Sequence, residues 1–348
     1  MRFLSCLCCI NFIIMAMYMK QLERIAFLSI GILLLACSHK ETVYFTSFPI
    51  EKDLKYSTFD VHGLFDPFSL VLSNKYLFLL GIKSDPIFQQ YELQNLTYLK
   101  SFGNRGRGPG EFPMTPIIYV SRNPEKLYIC HSAQKAFSSY KIIENGDLLL
   151  ENEFITTQGV LYNQFHIIKD SFLVYNLVPK IGIEVINLLT DENSTQIEFT
   201  KNRHYTGEDF LHPDFGTLTV NNQYIVYAYK YRKQIDIYDI KNLKLKTRLL
   251  AKGHSETITT TEHSKFYYCD VYTTENFIYV YFIDTYSNDV KNKYYIEVFD
   301  FNGTPLKRYN IGIALGCGLW AVTSDDSAIY GYCWSLDDKI LRFDLIVN

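Results

Sequence analysis

The sequence predicts an all-β protein, a six-bladed β-propeller with four-stranded blades whose ring is closed by an N-terminal strand. Three observations lead there. Short runs rich in Tyr, Phe, Ile and Val alternate with turn residues. These runs recur with a period of about 50 residues, which is the length of one blade. The last repeat is one strand short, and a lone strand stands in front of the first repeat.

The composition sets the element type. The chain holds 28 Tyr and 25 Phe in 348 residues, and aromatic and β-branched side chains favour the pleated, half-buried surface of a sheet. Asn, Asp, Gly and Pro punctuate the runs, and no helical segment of normal length follows Ala36. One strand type repeats as Tyr76–Leu80, Leu127–Cys130, Phe172–Tyr175, Tyr224–Ala228, Phe277–Tyr281 and Ala328–Tyr332. Its anchors Leu77, Leu127, Leu173, Ile225, Ile278 and Ile329 are separated by 50, 46, 52, 53 and 51 residues. A second strand follows each, for example Gln234–Ile240 and Lys339–Leu345. Turns such as Asn145-Gly146 and Asn302-Gly303 come next, supplying the positive φ angles of tight hairpins.

A further strand, such as Leu96–Phe102 or Pro305–Tyr309, completes five of the six units. The sixth reaches Asn348 with its third strand just finished. Blades bury their faces only against neighbours, so the array must form a ring. Thr42–Ile50 is the expected donor of the missing strand, leaving no open edge in the last blade. A pair of β-sandwiches or a β-helix explains neither the period nor the complementary deficit.

The front of the chain reads as a targeting segment. Met19–Arg24 is charged, Ile25–Ala36 is largely apolar, and Cys37 follows. The run falls short of the roughly 20 apolar residues of a comfortable membrane span. Residues 1–36 are therefore expected to be a signal peptide. Residues 1–18, with three cysteines and a second apolar stretch, fit as an extension from a start assigned too far upstream. Leu34-Leu35-Ala36-Cys37 resembles the lipobox of bacterial lipoproteins, which implies lipidation of Cys37. An ordinary signal peptide or a membrane anchor that contains a cysteine is the alternative. Residues 37–41 then form the lipidated terminus and linker, and residues 42–348 a single propeller. Ser38, where an aspartate often signals inner-membrane retention, points to the outer membrane. Lys40-Glu41 only faintly resembles a surface-export signal, so the periplasmic and outer faces stay open.

From Cys37 onward 312 residues remain, and the formal charge moves from −3 to −5 once Arg2, Lys20, Glu23 and Arg24 are removed. A mildly acidic chain is a poor partner for nucleic acid, which wants clustered Lys and Arg. Cys130, Cys269, Cys317 and Cys333 are widely spaced among apolar neighbours and form no CxxC pair. They are expected as buried free thiols rather than disulfides, although an oxidising compartment permits a bridge.

One segment stands out, Gly103-Asn104-Arg105-Gly106-Arg107-Gly108-Pro109-Gly110-Glu111-Phe112, between the outer strand of unit one and the inner strand of unit two. It lacks the Gly-Lys-Ser/Thr end and following helix of a phosphate-binding loop. Its mechanical reading is a tight crossing between blades, with Phe102 and Phe112 wedged between sheets and Glu111 pairing with an arginine or with backbone amides. The segment also resembles the start of an NHL repeat, with Pro113 and Pro116 near the expected place, but the other five units lack it. It is more similar to the six-bladed, TolB-like propeller lipoproteins of Bacteroides and relatives, which pair a lipobox with one Gly-Arg-Gly-Pro-Gly-Glu-Phe segment. That resemblance implies an envelope location and brings no activity with it.

Ligands of propellers usually sit over the channel, at the loops that enter the inner strands. Here these approaches are 62–66, 105–111, 204–214, 254–263 and 312–320. The binding candidates are Arg105, Arg107, Glu111, His204, His212 and Asp214. Arginine offers a planar fork for carboxylate or phosphate, while locking Glu111 and nearby carbonyls is the competing role. Two histidines among acids could serve acid–base chemistry or hold a metal, yet His204 and His212 are eight apart with no third ligand fixed by spacing. His254 and His263 carry the same discount. No catalytic set and no metal site is nominated, and no cofactor is expected, calcium being the one candidate. The leading expectation is a monomeric, non-catalytic binding or scaffolding module for an envelope protein, peptide or glycan, touching the membrane only through its lipid. The alternative is a propeller enzyme, a metal-assisted lactonase, hydrolase or lyase, with its site in the channel.

Cys37→Ser is expected to abolish incorporation of labelled fatty acid and to move the protein from the membrane to the soluble fraction. Unchanged labelling would show that Cys37 is not the acylated residue.

Overall fold

The structure, a computed structural model, describes residues 41–61, 63, 66–108, 110–120, 125–131, 136–155, 165–177, 182–190, 192–199, 212–254, 258–261, 263–284, 292–316, 319–336 and 339–345. The leader, Cys37, His204 and Cys317 lie outside them. Among the described residues there are 26 strands and no helix long and apolar enough to cross a membrane.

Three strands come first: β1 (Glu41–Phe45), β2 (Ile50–Asp53) and β3 (Tyr56–Asp60). Blade one then contains β4 (Pro67–Leu72), β5 (Tyr76–Gly81), β6 (Phe88–Glu92) and β7 (Thr97–Phe102). Blade two contains β8 (Ile117–Val120), β9 (Lys126–His131), β10 (Ala136–Ile142) and β11 (Leu148–Ile155), and blade three β12 (Phe165–Ile168), β13 (Phe172–Leu177), β14 (Gly182–Asn187) and β15 (Glu192–Glu198). Blade four runs β16 (Gly216–Val220), β17 (Tyr224–Tyr229), β18 (Gln234–Asp239) and β19 (Leu245–Ala251). Blade five runs β20 (Tyr268–Thr273), β21 (Ile278–Asp284), β22 (Lys293–Phe299) and β23 (Pro305–Asn310). Blade six has only β24 (Trp320–Val322), β25 (Ala328–Cys333) and β26 (Lys339–Asp344) from the end of the chain.

The ring is closed by an N-terminal strand, but not by the expected one. β3 pairs antiparallel with β26, from Tyr56 opposite Phe343 to Asp60 opposite Lys339. The segment Thr42–Ile50, expected in that place, lies elsewhere. β1 is a fifth strand on the outer edge of blade four beside β19, and β2 is a fifth strand on blade five, parallel to β23. The chain thus steps along the outer edges of blades four, five and six before it enters the first repeat. The reason is length. Thr42–Ile50 already seats Phe45 and Phe48 against Phe299, with ring centroids 5.2 and 5.3 Å apart. The residues next to blade one are the ones within reach of blade six.

Strand periodicity explains the core. Successive side chains of a strand point to opposite faces, and both faces of a blade are buried around its inner strands, so such strands feed two seams, while outer strands such as β7 and β11 are largely exposed. In β17, Val226 and Ala228 join blade five, whereas Ile225, Tyr227 and Tyr229 join blade three. The buried apolar residues accordingly form six clusters, one for each seam of the ring. Tyrosine suits these seams because its ring fills the gap while its hydroxyl finds a partner. Tyr76 donates to the Glu144 carbonyl at 2.8 Å, Tyr128 to Asp170 at 2.9 Å, Tyr279 to Asp326 at 2.9 Å and Tyr330 to the Leu93 carbonyl at 3.3 Å. Each bond crosses from one blade to the next. The described cysteines, Cys130, Cys269 and Cys333, are free thiols; Cys130 and Cys333 are buried, as expected, whereas Cys269 is only half-buried.

Three blades also carry a buried carboxylate at one equivalent position. Ile183-Glu184-Val185, Ile235-Asp236-Ile237 and Ile296-Glu297-Val298 place it on the third strand, with Gln196, Arg248 and Arg308 opposite on the fourth. Gln196 Nε2 donates to Glu184 at 2.7 Å. Arg248 makes a forked pair with Asp236 at 2.8 and 2.7 Å. Arg308 Nε and Nη2 both donate to Glu297 Oε1, at 3.1 and 2.7 Å. Tyrosine hydroxyls complete each set: Tyr175 to Glu184, Tyr229 to Asp236 and Tyr268 to Glu297. Lys233 reaches Glu297 from the neighbouring blade at 2.7 Å. Such groups hold together because removing one partner strands an uncompensated charge, at a cost of about 3–5 kcal/mol.

Prolines at Ser57, Thr58 and Phe59 remove three backbone donors from the closing strand. They are expected to open blade six, seen as early hydrogen exchange in β25 and β26 and as a broadened urea transition. Unchanged protection there would show that the ring does not depend on β3.

Candidate functional site

The loops that lead into the innermost strands form the upper face, together with the loops between the second and third strands of each blade. The Gly103–Phe112 segment lies on it as a folded junction between blades one and two. Arg105 and Phe112 form an isolated bridge, and the Phe112 amide donates to the Asn104 carbonyl at 2.9 Å. Phe112 meets Phe88 edge-on at 5.5 Å and stacks on His131 at 5.2 Å, while Phe102 stacks on Phe88 at 4.9 Å. Burial among these rings lowers the His131 pKa. Gly103, at φ 79°, lies so close to Phe88 that a Cβ would stand 2.6 Å from its ring.

The charged candidates of this loop differ. Arg105 Nε donates to the Ser84 carbonyl at 3.1 Å and Nη2 reaches Thr115 Oγ1 at 3.5 Å, so its fork ties the junction to blade one. Glu111 folds back over the loop and accepts the Gly108 amide at 2.7 Å. A side chain on Gly106 would run into that carboxylate. Arg107 is exposed.

His212 and Asp214 lie on blade four, just ahead of β16, and both are buried. His212 Nδ1 accepts the Asp214 amide at 3.0 Å. Asp214 Oδ1 receives Arg232 Nη2 at 2.5 Å, and its carbonyl accepts the Tyr227 hydroxyl at 2.9 Å. The Arg232 guanidinium lies 4.0 Å above the Tyr229 ring. The structure therefore brings His212 and Asp214 together, with Arg232 as an ion-pair partner that the sequence reading missed. It does not join them to Arg105 and Glu111, which belong to the junction of blades one and two. His254 meets Tyr267 edge-on at 5.0 Å, and burial lowers its pKa. Among the described residues, no group of three or more His, Cys, Asp or Glu converges as a metal site would.

A second feature of this face was also missed. Lys230 lies over the rings of Phe215 and Phe266 at 5.2 and 4.9 Å, and Phe266 leans on Tyr231 at 5.3 Å. Phe266 is 43% exposed and Trp334, in the upper loop of blade six, is 66% exposed. Ile82 and Met114 are exposed on the same face near the blade one–two junction. The signal in the sequence was an aromatic flanked by lysine inside a loop, Tyr229-Lys230-Tyr231 and Lys265-Phe266-Tyr267. In a chain this rich in tyrosine and phenylalanine, it does not stand out.

Comparison with known proteins fits this architecture. A family profile described as TolB-like 6-blade propeller-like matches residues 47–317. A protein of Bacteroides fragilis NCTC 9343 described as exported superposes with a TM-score of 0.54 at 16% identity, covering 89% of this chain and 99% of that one. A member of the DUF4221 family from Bacteroides vulgatus ATCC 8482 gives a TM-score of 0.54 at 12% identity, covering 83% and 96%. U3-55K gives 0.51 at 9%, covering 83% and 98%. At these identities the likeness is one of fold. No curated protein matches the chain at a significant level.

The junction geometry predicts opposite responses at two neighbouring positions. Gly103→Ala forces a side chain against Phe88 and is expected to destabilise by about 1–3 kcal/mol. Arg107→Ala, on the exposed side, is expected to stay within about 0.5 kcal/mol of the parent. Urea denaturation measures both, and equal effects would end the junction reading.

Proposed function

This chain belongs to the TolB-like six-blade propeller family, and from that premise we propose that it is a non-catalytic binding or scaffolding module of the bacterial cell envelope, held at the outer membrane by a lipid on Cys37. One observation carries the reading: the upper face divides its residues by chemistry. Its ionic candidates Arg105, Glu111 and Asp214 are engaged by protein groups. Large apolar or aromatic side chains, Ile82, Met114, Phe266 and Trp334, are exposed on the same face, beside exposed charged groups such as Lys83 and Asp85. A general acid or base must reach a reacting group with its proton. A contact surface instead needs apolar and aromatic area with a polar rim. The second description suits this face, and Lys230 and Arg107 supply the rim.

The ligand fitting this surface is an envelope protein, peptide or glycan, because flat aromatic faces beside cations accept apolar and hydroxylated groups alike. The lipobox-like leader supports the location, and so does the likeness to a protein described as exported. The face holding Trp334 gives a direct readout, since Trp334 is exposed and the other tryptophan, Trp320, is buried.

Titration with defined envelope fractions (outer-membrane protein extract, peptidoglycan fragments, glycans) is expected to quench Trp334 fluorescence with one of them. Phe266→Ala is expected to weaken that binding at least tenfold with the far-ultraviolet spectrum unchanged. Full binding by the variant, or turnover of a lactone or ester by the parent protein, would end this reading.

A further inference from the structure

The lower face, formed by turns at the opposite end of the blades, holds a pocket between blades three and four. Its volume is about 230 Å³. Ile168, Phe172 and Val185 of blade three and Ile240 and Leu243 of blade four give it an apolar wall, and Lys169 and Lys241 stand at it from the two sides. Both lysines are exposed, and neither forms an ion pair among the described residues. The carboxylates beside them are engaged by other groups than the two ammonium heads. Asp170 accepts Lys126 Nζ at 2.8 Å and the Tyr128 hydroxyl at 2.9 Å, while Asp239 Oδ1 accepts the backbone amide of Lys241 at 2.8 Å.

The pocket arises where a turn stops short of sealing its seam. In blade one the turn before the fourth strand carries Leu96 at φ 49°, and that leucine is buried against blade six. In blade four the corresponding Leu243, at φ 53°, is only half-buried against blade three. A left-handed conformation is sterically disfavoured for a residue of this bulk, so both turns hold their leucine inward by packing. At the blade three–four seam the packing is incomplete, and Phe172 stays partly uncovered.

We propose that this pocket binds a medium-chain carboxylate, its acyl chain against Phe172, Val185 and Leu243 and its head group between Lys169 and Lys241. Size and charge both lead to this occupant. The pocket is small and walled by apolar side chains, which suits a short acyl chain such as that of octanoate. It lies below the roughly 300–1,000 Å³ typical of larger ligands. Two ammonium groups that form no ion pair among the described residues favour an anionic head over a neutral one. The site lies on the face opposite Phe266 and Trp334, so it stands or falls separately from the binding role of the upper face.

Isothermal titration of the purified protein in detergent-free buffer, with octanoate below its micellar concentration, tests this. Octanoate is expected to bind at one site, and 1-octanol and acetate at least tenfold more weakly. The double variant Lys169→Ala/Lys241→Ala, altered only at exposed positions, is expected to lose at least tenfold in octanoate affinity while keeping its affinity for 1-octanol. The proposal is overturned by no octanoate binding, by equal octanoate affinity in the double variant, or by a leucine-ended peptide binding more tightly than octanoate.

Discussion

Strand Tyr56–Asp60 lies antiparallel against Lys339–Asp344 and joins the front of the repeats to their end. A blade of this composition cannot stand alone, because its strands are apolar on both faces and each face needs a neighbour. Closure gives every blade two neighbours, adding the seam between blades six and one to the five between consecutive blades. Loop-closure entropy rises slowly with loop length, so pairing residues this far apart in sequence costs little more than pairing nearer ones. Once the seams are buried, that cost is offset many times over.

The N-terminal arm does more than close the ring. β1 and β2 add outer strands to blades four and five before β3 completes blade six. An uncovered sheet edge offers unpaired amides and carbonyls to any passing strand. Blades four and five carry that edge on β1 and β2 and blade six carries it on β3, whereas blades one to three end at β7, β11 and β15 among the described residues. The same region concentrates the buried ion pairs. Glu297 gathers Lys233, Arg308 and Tyr268 across the blade four–five seam, with Phe45 and Phe48 packed beside it. Asp270 links three consecutive blades, accepting Thr217 at 3.0 Å and the Trp320 indole at 2.9 Å. These bonds work in a low dielectric, where a satisfied charge fixes one arrangement and an unsatisfied one is expelled.

This architecture bears on function through what it leaves over. Arginine, glutamate and aspartate on the upper face act on the protein itself: Arg105 fastens a junction, Glu111 folds over glycines, and Arg232 holds Asp214. Large apolar side chains, Ile82, Met114, Phe266 and Trp334, face solvent there beside exposed charged groups such as Lys83 and Arg107. A rigid ring also holds such loops at fixed separations.

The strand order, the 50-residue period, the six blades and the need for a front strand were legible in the sequence. Each follows from local rules: alternation of apolar residues, Asn-Gly turns, and a repeat length set by four strands. Gly103–Phe112 was legible as a blade junction for the same reason, since glycines and flanking phenylalanines act over a few residues. Which front strand closes the ring was not legible, because backbone hydrogen bonds are alike for every strand and a strand's own pattern does not name its partner. The carboxylates Glu184, Asp236 and Glu297 left a faint trace in three matching triplets, but their partners lie on other strands. His212 and Asp214 could be nominated as neighbours, whereas Arg232 could not be assigned to them. The local pattern of the chain determined the elements and their number. Packing between segments tens to hundreds of residues apart decided the closing strand, the ion pairs and which side chains were left for a ligand.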